Sequence, residues 1–92
     1  MSYEDFEHAM REATASAAGH GLAPGSARIP ELRRALRGRC TKDQFETYLC
    51  RLKRDGIVLL EAHAHPASLA PSDAEDALND GERLLYFLRW LK

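Results

Sequence analysis

The stretch from Thr41 to Leu60 constrains the fold more than any other part of this chain of 92 residues. Apolar side chains recur within it at the three- and four-residue spacing of a buried helix face. They are Phe45, Tyr48, Leu49 and Leu52. Thr41 suits the N-cap of such a helix, Gly56 suits its end, and the aliphatic run 57–63 that follows is typical of a strand. The sequence therefore predicts a helix over 42–54 placed directly before a strand.

Two more helices are predicted upstream of this one. Residues 3–18 carry a narrow apolar stripe rich in alanine, and the glycines and proline of 19–25 indicate a loop after it. Residues 27–29 are compatible with a brief strand. Pro30 then suits the first turn of a helix over 30–37. Gly38, Arg39 and Cys40 would form a three-residue turn into the helix over 42–54.

The C-terminal part of the chain predicts a strand pair with a long connection. Residues 82–91 carry apolar side chains on both faces of a predicted strand, which would be the antiparallel partner of the strand at 57–63. Between the two strands, Pro71 can start a short helix that reaches Leu78, and residues 79–81 favour a turn. This connection, residues 66–82, carries five acidic side chains and no basic one.

The order helix, short strand, helix, turn, helix, strand, loop, strand resembles the winged helix-turn-helix superfamily. Three segments carry the resemblance, namely Ile29–Leu36, Phe45–Leu52 and Arg54–Leu60. It covers about two thirds of the chain, is similar to bacterial winged-helix proteins at the junction of helix and wing, and identifies no narrower family. A superfold of this kind does not by itself fix a function.

The resemblance implies an α+β fold that is mainly α. It would contain three helices and a two- to three-stranded antiparallel wing, with a long acidic insertion in the wing. We expect one domain over 1–92, in which 1–25 form the N-terminal helix and loop, 26–56 the helix-turn-helix, and 57–92 the wing.

Charge is strongly segregated along the chain, although the net charge is only -1. Residues 28–54 carry nine basic side chains against three acidic ones, whereas both flanking segments are acidic. A basic centre between acidic ends indicates one localised anion-binding face rather than a generally cationic surface.

The helix over 42–54 presents side chains that suit DNA on the face opposite its apolar stripe. Arg51 and Arg54 can pair with guanine, Gln44 suits adenine, and Thr47 can offer a hydroxyl or a methyl group to a base edge. Arginines of the preceding helix and turn would contact phosphates. The complete predicted DNA-binding set is Arg33, Arg34, Arg37, Arg39, Lys42, Gln44, Thr47, Arg51 and Arg54.

Two functions remain open on this basis. The first is a regulator of transcription or of a mobile element that binds double-stranded DNA through the helix over 42–54. The alternative is an adaptor that holds another protein within a larger bacterial complex, because Asp43 and Cys50 suit DNA poorly and phosphate would repel the acidic segment 66–82. That segment would instead fold back on the basic helices or bind a protein partner.

Surplus apolar surface on the last strand predicts a homodimer, because a two-stranded wing has only one face to bury against its own helices. The first helix or the last strand would lie at the seam. The residues expected there are Tyr3, Phe6, Met10 and Trp90.

Other classes of function find little support in the sequence. There is no glycine-rich phosphate loop and no nucleophile motif, so we expect neither an enzyme nor a cofactor. His63 and His65 could share a metal ion, but no further ligand has suitable spacing, and hydrogen bonding at the start of the wing is the favoured role. Cys40 and Cys50 are expected to be free thiols. No apolar run reaches the roughly 20 residues of a membrane span, and the acidic N-terminus does not suit a signal peptide, so a cytoplasmic location is expected.

Overall fold

A computed structural model describes residues 1–17, 25–81 and 83–92 of the chain. Within these residues it has four α-helices and four strands that form one antiparallel sheet. The elements are α1 (Tyr3–Ala17), β1 (Ser26–Arg28), α2 (Ile29–Ala35), α3 (Lys42–Arg54), β2 (Val58–Ala62), a single 3₁₀ turn (Pro66–Ser68), α4 (Pro71–Asp76), β3 (Leu78–Asp80) and β4 (Arg83–Trp90). The predicted end of the first helix at residue 18 and most of the loop at 19–25 lie outside the described residues.

Strand β4 is the centre of the sheet. Leu88 pairs with residues of both β1 and β2, so these two strands lie on opposite sides of β4. Leu85 pairs with residues of both β2 and β3, so β3 lies on the same side as β1. A bulge opposite Glu61 and Ala62 leaves Tyr86 without a partner in β2, which allows the neighbouring Leu85 and Tyr86 both to be buried.

The coarse α+β class predicted from the sequence is confirmed, but the element count is corrected. Three helices and a two- to three-stranded wing were expected, whereas the described residues contain four helices and a four-stranded sheet. Residues 78–80 form β3 instead of a helix end and a turn, because Leu78 is buried where it pairs with Leu85. The reversal comes later, at Gly81, whose φ of +63° suits glycine.

The connection between α2 and α3 also differs from the prediction. Helix α2 ends at Ala35 rather than at residue 37, and the linking segment runs over residues 36–41 rather than over three residues. Leu36 and Cys40 are both buried, and the Leu36 carbonyl accepts hydrogen bonds from the N–H groups of Arg39 and Cys40. The compact turn therefore starts two residues earlier than the sequence indicated, while α3 begins and ends where it was predicted.

The core lies between the helices and the inner face of the sheet. Phe6 of α1 meets Phe45 of α3 edge to face, with 5.7 Å between ring centroids. Leu32 of α2 and Leu88 of β4 complete the centre of this core and are fully buried. Burial of such side chains is the main source of stability in a domain of this size.

The four residues expected at a dimer seam are engaged within the single chain. Phe6 and Met10 are 0% exposed, so they have no surface to give to a second copy. Trp90 donates a hydrogen bond from Nε1 to Thr14 Oγ1 over 2.9 Å, and Tyr3 packs against Tyr48. The apolar side chains of the last strand are largely used within the chain, because Leu85, Tyr86 and Leu88 are buried and Trp90 packs against the core.

Candidate nucleic-acid interface

Helix α3 begins with a capping box that is visible in the sequence. Thr41 Oγ1 accepts a hydrogen bond from the Gln44 N–H, and Gln44 Oε1 accepts one from the Thr41 N–H, each over 3.1 Å. Phe45, Leu49 and Leu52 are buried on its inner face. The side-chain oxygen of Gln44, one of the predicted base-reading residues, is therefore engaged in the helix cap.

The outer face of α3 is exposed to solvent. Lys42, Thr47, Cys50 and Arg54 are all exposed, and basic side chains dominate the last turn of the helix. Cations placed at a helix C-terminus also interact favourably with the helix dipole. The sequence therefore located the exposed face of this helix correctly.

Arg51 is held in place by α1. Its guanidinium carbon lies 4.0 Å from the centre of the Tyr3 ring, and its Nε lies 3.9 Å from a carboxylate oxygen of Asp55. The Tyr3 hydroxyl donates a hydrogen bond to the same carboxylate over 3.1 Å. Burial, together with this hydrogen bond, raises the pKa of Tyr3 above its ordinary value. The Arg51 side chain nevertheless remains 49% exposed, so its guanidinium is oriented without being withdrawn from solvent.

Arg34 of α2 and Arg37, in the turn that follows α2, bind the acidic helix α4. Arg34 pairs with Asp73 and, over 3.1 Å, with Asp76, while Arg37 lies 3.3 Å from Asp76. The hydrogen bond that Arg34 donates to Asp73 raises the pKa of the guanidinium above its ordinary value. The acidic segment thus folds back on the basic helix pair, as one of the sequence hypotheses held, and it does so on α2 rather than on α3.

Arg33 and Arg39 occupy other surroundings. The Arg33 guanidinium lies 5.6 Å from the centre of the Phe45 ring, and its buried Nη1 has no hydrogen-bond partner among the described residues. Arg39 lines a cleft of about 380 Å³ between α1 and α2, together with Glu12 and Glu31. Besides the outer face of α3, the arginines of the predicted DNA-binding set therefore have three different surroundings: α4, the Phe45 ring and the cleft between α1 and α2.

A groove runs between the outer face of α3 and strand β3. It has a volume of about 730 Å³. Its lining residues are Glu46, Thr47, Cys50, Arg51, Arg54, Leu78 and Asn79. Sequence reasoning missed the contribution of Leu78 and Asn79 because it assigned 78–81 to a helix end and a turn. The available signal in the sequence was Leu78, a single apolar residue between two turn-forming segments.

The histidine pair and the cysteines show no metal-binding arrangement. His63 Nδ1 accepts a hydrogen bond from the His65 N–H over 2.9 Å, and the His63 ring stacks on Phe87. Cys40 is buried and Cys50 is exposed, and both are free thiols. Among the described residues no three candidate ligands come together, and no described helix is long and apolar enough to cross a membrane.

No protein-family model, no curated protein and no solved structure matches this chain. The resemblance to winged-helix proteins therefore remains a prediction, carried by the order of α2, α3 and β2 and by the exposed face of α3.

Proposed function

We propose that this chain is a winged-helix protein that binds double-stranded DNA, with α3 as the helix that enters the major groove. The observation that carries the proposal is that the outer face of α3 is exposed and ends in a cluster of cationic side chains. Regulation of transcription or of a mobile element is the setting that such binding suits.

The dimensions of α3 fit this role. Lys42 and Arg54 stand at its two ends, about 18 Å apart along the axis at the helical rise of 1.5 Å per residue. The major groove is about 12 Å wide, so cations at the two ends of an inserted helix can approach the phosphates that flank it. Thr47 lies between them on the exposed face, where a base edge would be met.

The residues of the site divide into two roles. Arg54 and Thr47 are the candidates for base contacts, with Arg51 beside them in the orientation that Tyr3 imposes. Lys42 and the arginines of α2 would contact phosphates and contribute affinity that falls with salt. Gln44 is assigned to the helix cap rather than to adenine.

The proposal is tested by fluorescence anisotropy with a labelled duplex of mixed sequence across a series of salt concentrations. Binding should weaken steeply as salt rises, because released counterions drive the association. Lys42→Ala should lower the affinity and reduce the slope of log K against log salt by about 0.9, the contribution of one phosphate-directed cation.

Arg89→Ala is the matched control, because it removes the same charge from an exposed position on β4. It should leave both the affinity and the slope close to those of the wild type. An equal loss of affinity in the two variants would mean that net charge alone explains the binding. No binding by the wild type at low salt would overturn the proposal.

A second candidate function is a protein-binding adaptor. Two observations favour it. Asp73 and Asp76 already neutralise Arg34 and Arg37. The groove beside α3 also combines the apolar side chain of Leu78 with the charged side chains of Arg51 and Arg54. An adaptor would show no salt-dependent DNA binding, so the same titration separates the two functions. The homodimer remains a prediction, and it would need surface other than Phe6 and Met10.

A further inference from the structure

Helix α4 is attached to the rest of the molecule in an unusual way. The structure describes all of its residues, Pro71–Asp76, and none of them is buried. Its side chains Asp73 and Asp76 form ion pairs with Arg34 of α2 and with Arg37, which follows α2. We name this helix, residues 71–76, the acidic strap.

The forces that hold the acidic strap are weak and can be exchanged. Asp76 is only 16% exposed, but Arg34 and Arg37 are 40% and 62% exposed, so water and salt reach the cationic side of each pair and weaken it. A helix of six residues is not stable by itself. Release of the strap from α2 would expose no buried residue of the strap itself, while the buried Ala77 and Leu78 hold the chain that follows it in the core.

The chemistry of the strap is that of a DNA backbone. An arginine fork binds carboxylate and phosphate oxygens with the same planar pairs of hydrogen bonds. Asp76 receives both Arg34 and Arg37, so one carboxylate occupies two cations at once. These are two of the α2 side chains that our proposed function directs toward phosphates.

We infer that the acidic strap is an autoinhibitory contact, which competes with the phosphates of DNA for Arg34 and Arg37. This inference rests on the proposed function. DNA binding requires the strap to leave α2, after which both arginines become available and two carboxylates no longer face the duplex. The intrinsic affinity of the helix pair is therefore higher than the affinity that the intact chain displays.

The test compares the wild type with Asp73→Asn/Asp76→Asn in the duplex titration described above. The variant keeps the size of both side chains but weakens their pairing with the arginines. Its affinity at low salt should rise on the order of tenfold, and its slope of log K against log salt should steepen by up to about 1.8, for two cations returned to the interface.

The matched control is Glu61→Gln/Glu75→Gln, which also removes two negative charges. Glu75 is exposed on the acidic strap, Glu61 is exposed on β2, and neither forms an ion pair with Arg34 or Arg37. This variant should bind DNA nearly as the wild type does. In an Arg34→Ala/Arg37→Ala background, the gain from Asp73→Asn/Asp76→Asn should vanish. Circular dichroism of every variant checks that the fold is retained.

The outcomes separate the inference from the function on which it rests. If the wild type binds DNA and Asp73→Asn/Asp76→Asn binds no better, the inference is overturned and the proposed function stands. An equal gain in Glu61→Gln/Glu75→Gln would also overturn it, because net charge would then explain the effect. If no variant binds at low salt, both proposals fail.

Discussion

Helix α1 and the acidic strap are held against the α2–α3 pair by different kinds of contact. Helix α1 docks through Phe6 and Met10, which are fully buried, whereas the acidic strap docks on α2 through ion pairs and buries none of its own residues. Apolar burial hardly responds to salt, while exposed ion pairs do. The chain therefore combines a scaffold held by apolar burial with one helix held by ion pairs, which is the helix that we infer to be releasable.

The largest expected effect comes from removing the centre of the α1 contact. Phe6→Ala should lower the free energy of unfolding by about 3–5 kcal/mol, because it leaves a cavity against the Phe45 ring. Urea denaturation measures this loss. Leu59→Ala is the control, since Leu59 is exposed on β2. A loss at Phe6 no larger than that at Leu59 would contradict the claim that α1 is part of the scaffold.

A smaller loss is expected where α1 meets β4. Thr14 is buried, accepts the Trp90 indole N–H over 2.9 Å and donates to the Met10 carbonyl over 2.8 Å. Thr14→Val keeps the shape but leaves the indole N–H without its acceptor, at a cost of about 1–3 kcal/mol. Thr14→Ser, which retains the hydroxyl, should recover most of that stability. Thermal denaturation followed by tryptophan fluorescence measures the stability of both variants. Equal melting temperatures for the two would refute the role of the hydroxyl.

The capping box of α3 carries the next prediction. Thr41→Ala removes the acceptor of the Gln44 N–H and should cost about 1 kcal/mol. Thr47→Ala, in the exposed middle of the same helix, should cost nothing, because alanine is the better helix former. Denaturant unfolding of the two variants gives the comparison. If Thr41→Ala were neutral, Gln44 would be released from the cap and would return to the candidates for base contact.

The smallest effect on global stability is expected at the acidic strap. Asp73→Asn should change the free energy of unfolding by less than about 1 kcal/mol, because an ion pair between partly exposed side chains contributes little. Locally the effect is larger. The amides of Ala74 and Ala77, which donate to the carbonyls of Ala70 and Asp73, should exchange faster as salt rises, while that of Leu49 should not. Hydrogen exchange followed by NMR tests this, and equal salt responses at the three amides would remove the distinction between strap and scaffold.

The scaffold could be predicted from the sequence where one physical signal dominated. Helix α3 has a cap, a full apolar stripe and a stop, and both of its ends were predicted correctly. The strand positions of β2 and β4 followed from aliphatic runs. β3 was missed because its three residues are too few to show a period, and its position depends on the partner that Leu78 finds in β4.

The candidate site was predictable only in part. Charge segregation located the basic helices, and the exposed face of α3 followed from its buried one. Which arginines are already occupied could not be read from the sequence, because Arg34 and Asp76 are 42 residues apart and only the path of the chain after β2 joins them. The burial of Phe6 and Met10 could not be read from the sequence either, because it depends on how α1 packs against α3 and the rest of the core.

The central claim is that α3 is the surface that meets DNA, and amide NMR with a short unlabelled duplex tests it most directly. The account predicts that chemical-shift changes concentrate on the exposed face of α3, at Thr47, Cys50 and Arg54, and are absent from Leu59 and Arg89 on the sheet. Changes that map to the sheet and leave α3 untouched would contradict it.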